Sequence, residues 1–169
     1  AFVAPMHRRS LAFAAVLAAA AFALRPDDAH AIVRLQGTAG VLHLGGRNGG
    51  THGLFRLEGT FTALPWMHVG LWAQGLPAFD DSRTGGGGGA MVAFRPALPS
   101  LRIDPMGYAS LGWLRAGAGN GGLVGELGAG LVYHANAVID FELRAGAVQV
   151  VGSSAATGLS VGVGLALAL

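Results

Sequence analysis

Residues 159–169 read Leu159-Ser160-Val161-Gly162-Val163-Gly164-Leu165-Ala166-Leu167-Ala168-Leu169. Every odd position is aliphatic and every even position is Ser, Gly or Ala. A period of two belongs to a β-strand, whose side chains alternate between faces, and not to a helix with its period of 3.6. One face of this strand is wholly aliphatic and the other wholly small.

The same alternation recurs upstream. Ile139, Phe141, Leu143, Ala145 and Ala147 alternate with Asp140, Glu142, Arg144 and Gly146. Leu123, Leu127, Ala129, Leu131 and Tyr133 alternate with Val124, Glu126, Gly128, Gly130 and Val132. Near the start, Phe55, Leu57, Phe61 and Ala63 alternate with Arg56, Glu58, Thr60 and Thr62, and Val33, Leu35, Ala39 and Val41 with Arg34, Gln36, Thr38 and Gly40. Segments 67–77 (Val69, Leu71, Ala73), 90–98 (Val92, Phe94) and 106–116 (Ala109, Leu111, Trp113) follow the pattern less cleanly. Arg115 falls on the apolar face of the last, which calls for a bulge or a rim position. The count of strands is eight, most of them long enough for the roughly 9–11 residues a tilted spanning strand needs.

Composition narrows the setting. The chain has 169 residues, 52% of them hydrophobic, 12% charged, with 29 Gly and no Cys. The lack of Cys excludes a disulfide scaffold, a thiolate zinc site and a cysteine nucleophile. A formal charge of +2 with no basic cluster beyond the N-terminus excludes a nucleic-acid surface. At that N-terminus, Met6-His7-Arg8-Arg9 precedes an apolar run from Leu11 to Leu24, and Ala29-His30-Ala31 has a small-x-small form. The run is shorter than the roughly 20 residues of a spanning helix, so residues 1–31 read as a signal peptide cleaved after Ala31. Met6 is then the start and residues 1–5 lie upstream of it. From Ile32 to Leu169 no stretch is apolar enough for a membrane helix. An exported apolar chain without such a helix has one membrane solution, a closed barrel.

The connections fit. Ala63-Leu64-Pro65-Trp66, Leu98-Pro99-Ser100 and Ala135-Asn136-Ala137 read as tight turns. The longer Gly-rich or polar stretches 45–53, 78–89, 117–122 and 152–157 read as loops at the other end. Short turns in the periplasm and longer loops outside mark an outer-membrane barrel. The expected fold is all-β, an eight-stranded antiparallel up-and-down transmembrane barrel over residues 32–169.

Face orientation separates this from a soluble barrel, which would need a charged exterior. The non-aliphatic face is rich in Gly, Ala, Ser and Thr, as the narrow lumen of eight strands requires. Arg34, Arg56, Glu58, Arg95, Glu126, Asp140, Glu142 and Arg144 share the inward parity, four basic and four acidic. Equal and opposite charges in a confined interior predict a paired network, because an unpaired buried charge is costly.

At this point the chain resembles the small eight-stranded outer-membrane barrels of the OmpA and OmpX type. The resemblance lies in pattern over nearly all of residues 32–169. Its most specific piece is Gly164-x-x-Leu167-x-Leu169, similar to the C-terminal assembly signal read by the outer-membrane insertion machinery, although family members usually end in an aromatic. Trp66 and Tyr133 suit the periplasmic rim, and Phe79 or Trp113 the outer one.

Other motifs carry little. Gly117 to Gly122 satisfies G-x-G-x-x-G, but a strand and not a helix follows. Gly85 to Gly89 lacks a following Gly-Lys-Ser/Thr and reads as a loop tip. His43, His52, Asp80 and Asp81 read as solvated loop residues and not as a metal site. Lipid A deacylases place a His two residues before a nucleophilic Ser, whereas His43, His52, His68 and His134 are followed there by Gly45, Leu54, Gly70 and Asn136. The reading is a non-enzymatic barrel with an envelope or surface-loop role and no cofactor. Its partners are outer-membrane lipids and, during assembly, the insertion machinery, and the expected state is a monomer. A small ion channel and a lipid-modifying enzyme are the alternatives.

Overall fold

In the computed structural model the described residues are 33–45, 50–77, 84–96, 102–115, 121–152 and 155–169. The expected signal peptide lies outside them. Eight strands follow in chain order: β1 Val33–Leu44, β2 Gly50–Leu64, β3 Met67–Leu76, β4 Gly85–Phe94, β5 Ile103–Arg115, β6 Gly121–His134, β7 Ile139–Gly152 and β8 Ala156–Ala168. Each pairs antiparallel with the next, and β8 returns to β1 to close the barrel. No described helix is long and apolar enough to cross a membrane.

Register follows from the alternation, since a slip of one residue would turn every side chain of a strand to the wrong face. Along β1–β8 the pairs run from Arg34 opposite Ala168 to Leu44 opposite Gly158. Even-numbered residues of both strands therefore face inward together. Leu57 and Leu127 point the other way and are 71% and 68% exposed. Arg115 needs no bulge, because it is the last residue of β5, exposed at the rim. Among the described residues, the one irregularity of register lies between Thr62 and Leu64, beside the β2–β3 turn.

The start of β1 and the end of β8 lie at one end, called here the near end, as do the strand ends that flank the β2–β3, β4–β5 and β6–β7 connections. The strand ends that flank the β1–β2, β3–β4, β5–β6 and β7–β8 connections lie at the far end. The contrast in length between the two ends is smaller than the sequence implied. Asn136 fixes the β6–β7 turn, its side-chain oxygen accepting from the Val138 and Ile139 amides at 2.8 Å each. Gly152, at φ 151°, ends β7 in a conformation that favours glycine.

Gly85–Gly89 is not a loop tip but the first half of β4. Ladders to β3 and β5 on both edges hold it extended against its poor strand propensity. Close approach explains the residue type: a Cβ on Gly89 would strike the Leu111 carbonyl.

Trp66 and Phe94 stack at the near end with ring centroids 5.9 Å apart. Tyr133 and Phe141, opposite each other on β6 and β7, share that end, and Trp113 lies towards the far one. Phe79 lies outside the described residues.

Candidate functional site in the barrel lumen

The eight charged residues of inward parity are all inside the barrel, each between 2% and 8% exposed. Six form one line of alternating sign. Arg95 Nη2 bonds Glu142 Oε2 at 2.9 Å, and Glu142 Oε1 lies 3.6 Å from Arg144 Nη1. Arg144 Nη1 bonds Glu58 Oε1 at 2.7 Å, and that oxygen lies 2.6 Å from Arg56 Nε. Arg56 Nη1 then donates to Glu126 Oε2 at 2.5 Å. The other two, Arg34 and Asp140, pair in a second group at the near end.

Glu126 is the hub. Besides Arg56, its oxygens accept from Tyr108 Oη at 3.0 Å, Ser160 Oγ at 2.5 Å and Ser110 Oγ at 3.4 Å. A carboxylate holding several donors is stabilised in its charged form, which offsets desolvation inside a narrow lumen. Aromatic faces add to the cations: Trp72 lies 4.6 Å from the Arg56 guanidinium carbon and Tyr108 lies 5.5 Å from that of Arg144.

The inward face of β8 holds no charge, and this permits the crossings. Arg144 on β7 passes Gly162 to donate to Thr38 on β1 at 3.1 Å. A Cβ on Gly162 would come within 2.8 Å of Thr38 Cγ2, and one on Gly146 within 2.6 Å of Tyr108 Oη. Gly128 and Gly146 leave room for the Tyr108 side chain, and Gly112 for that of Trp72.

Several members escaped the sequence reading. Asp104 and His134 join the second group, with His134 Nε2 2.8 Å from Asp104 Oδ2 and Nδ1 2.8 Å from Asp140 Oδ1. Carboxylates only accept, so both ring nitrogens donate and the imidazolium form fits this geometry. Tyr108, Ser110 and Trp72 were legible in principle, since the outward parity of Ala109, Leu111 and Leu71 turns them inward. The long-range partners were not.

A second layer lies on the far side of the network. Leu42, Leu44, Leu54, Leu76, Leu114, Val124, Val148 and Val150, drawn from six strands, all face inward and are at most 6% exposed. Sequence reading gave the inward face as small residues with scattered charge; the far half of the lumen is instead packed with aliphatic side chains. Between the layers is a void of about 10 Å³ bounded by Leu42, Leu54, Trp72, Gln74, Ser110, Val124, Glu126, Val148 and Ser160.

His43 and His52 sit on opposite faces of the wall, His43 Nδ1 being 2.9 Å from Thr51 Oγ1 outside and His52 buried inside. They cannot share a ligand. Asp80 and Asp81 lie outside the described residues. Among the described residues no group of His, Asp and Glu could hold a metal ion. His68 pairs with Thr62, and both lumenal serines bond Glu126, so no Ser–His pairing of a hydrolase is formed by these groups. Gly164 faces inward beneath Thr38, Leu167 faces outward opposite Leu35 and Ile139, and the Leu169 amide donates to the Val33 carbonyl at 2.8 Å.

Neisserial surface protein A superposes over 81% of this chain and 97% of its own, with TM-score 0.72 and 10% identity. The fold is that of the small outer-membrane barrels. The N-terminal barrel domain of Pseudomonas aeruginosa OprF agrees over 82% of this chain and 97% of its own, with TM-score 0.65 and 12% identity. A de novo designed transmembrane β-barrel matches over 85% and 100%, with TM-score 0.53 and 11% identity. No family model matches the sequence, and no curated protein does. The outer-membrane barrel architecture is thus shared at the level of backbone and strand count, and the lumen is built from this chain's own residues.

Proposed function

We propose that the protein is a bacterial outer-membrane barrel with a non-enzymatic role in envelope integrity or in presenting its far-end loops at the surface. The observation that carries this reading is the inversion of the two faces. Leucine, valine and phenylalanine project outward around the wall, while the charges are buried and paired within. Such a wall is stable against hydrocarbon and unfavourable in water. The near end, where β1 starts and β8 ends, is then periplasmic, after export directed by residues 1–31. Outer-membrane lipids cover the wall, the Gly164-Leu167-Leu169 pattern is read by the insertion machinery, and the barrel works as a monomer. A lumen filled by side chains supports a structural role over a diffusion pore.

Cell fractionation followed by gel electrophoresis with and without boiling tests the reading. Recovery with the outer membrane, with a band that migrates faster unboiled, is the expected result. Recovery as a soluble periplasmic protein with no heat-dependent shift overturns it.

A further inference from the structure

The lumen has two unlike halves. On the near side of Glu126 stand the ion pairs, and here most of the buried polar atoms without a hydrogen-bond partner among the described residues are found: Arg34 Nε, Arg95 Nε and Nη1, Arg56 Nη2 and Glu142 Oε1; on the far side there is one, His52 Nδ1. Buried polar atoms of this kind are satisfied by water where water can reach them. Solvent comes nearest to these groups at the near end, where the His134 side chain is 38% exposed while touching Asp140, the partner of Arg34. On the far side the aliphatic layer begins, and β4 and β8 set small residues beside it, with Gly87 opposite Leu114 and Gly158 opposite Leu44. The void between the halves has room for about one water molecule.

We propose that the aliphatic layer is the seal of this barrel, and that water and ions reach the charged network only from the near end. This deepens the membrane-barrel reading and rests on it. An ion travelling from the near end exchanges its hydration for the network's charges, then meets Leu54, Leu114, Val124 and Val148. Here His52, opposite Leu42, is the one buried polar side chain among the described residues, and too few ligands remain to replace a hydration shell. Hydrophobic constrictions of this kind stop ions by excluding water. The residues that decide conductance are therefore the leucines and not the ion pairs.

Planar-bilayer recording from the purified full chain tests the assignment, with the unboiled gel band first establishing that each variant forms a barrel. Wild type and the ion-pair variant Arg144→Gln/Glu58→Gln are expected to be silent. The seal variant Leu42→Ser/Leu114→Ser is expected to conduct about tenfold or more above wild type. A conducting wild type, a conducting ion-pair variant, or a folded but silent seal variant overturns the proposal while leaving the barrel intact. Loss of the heat-dependent band in wild type overturns the membrane reading itself. Should the seal variant fail to fold, a single cysteine decides, since the native chain has none. Thr60→Cys, inward on β2, is expected to react with a charged, membrane-impermeant thiol reagent applied at the near end and to resist it at the far end. Equal reaction from both ends, or reaction from the far end alone, overturns the seal.

Discussion

Arg144 on β7 and Glu58 on β2 form a 2.7 Å ion pair across the lumen, although 86 residues separate them in the chain. Two further strands, β8 and β1, lie between them around the wall. Both side chains are almost wholly buried. Arg144→Met strands Glu58 with one cation fewer, and the expected loss is about 3–5 kcal/mol, the cost of breaking a buried pair. Arg144→Met/Glu58→Met is expected to recover part of that loss. Urea titration of the barrel in phospholipid vesicles measures both, and a single variant as stable as wild type would refute the pairing.

Glu126 supplies a graded series. Glu126→Gln replaces one acceptor oxygen by an amide donor facing donors and is expected to cost about 2–4 kcal/mol. Ser160→Ala loses a 2.5 Å bond and Ser110→Ala a 3.4 Å contact, so the first is expected to cost about 1–2 kcal/mol and the second under about 0.5. Equilibrium unfolding should rank the losses, largest first, as Glu126→Gln, Ser160→Ala, Ser110→Ala. A reversal of the two serine effects contradicts the geometry.

Gly128 lies where a Cβ would meet the Tyr108 ring and stand 2.5 Å from the Ala145 carbonyl. Gly128→Ala is expected to destabilise by about 1–3 kcal/mol through overpacking. In the background of Tyr108→Ala the same change is expected to cost less by about 1 kcal/mol or more, the remainder being the carbonyl contact. Additive effects in the double-mutant cycle would place the ring elsewhere.

Much of this fold was legible because its determinant is local. The alternation at 159–169 or 139–147 needs only neighbouring residues, and parity then sorts every side chain to one face. The limits came where parity was uninformative. Gly85–Gly89 has no side chains to alternate, so it read as loop although pairing makes it strand. Val124, Val148 and Leu114 lie on the inward parity, but an aliphatic residue there looks like a lapse in the pattern until six strands bring such lapses to one level. The charged network divides likewise. Its membership followed largely from parity, whereas the partner of each charge depends on the closed circle, and Asp104 and His134 stand one step or more outside the alternating segments 106–116 and 123–133.

The wall offers the most direct test of its surroundings. Leu127, near the middle of β6, is 68% exposed. Leu127→Arg is expected to cost about 2–4 kcal/mol when the barrel folds into lipid vesicles, whereas Arg115→Leu at the rim should change stability by less than about 1 kcal/mol. Vesicle folding titrations monitored by tryptophan fluorescence give both values. A harmless arginine at 127 would mean that this face meets water.

The blank inner face of β8 has a consequence for how the molecule comes into being. In an unclosed sheet β1 and β7 are remote, so Arg34 and Asp140, and Arg144 and Glu58, are parted, and only the pairs made within a strand or between neighbours, such as Arg56 with Glu58 and Arg144 with Glu142, are in place. When β8 is stitched to β1 the parted groups meet, over a strip of Gly162, Gly164 and Ala166 that leaves their path clear. Completion of the cylinder therefore also completes the pairing of its interior, and the last seam is drawn shut by charge as well as by backbone hydrogen bonds.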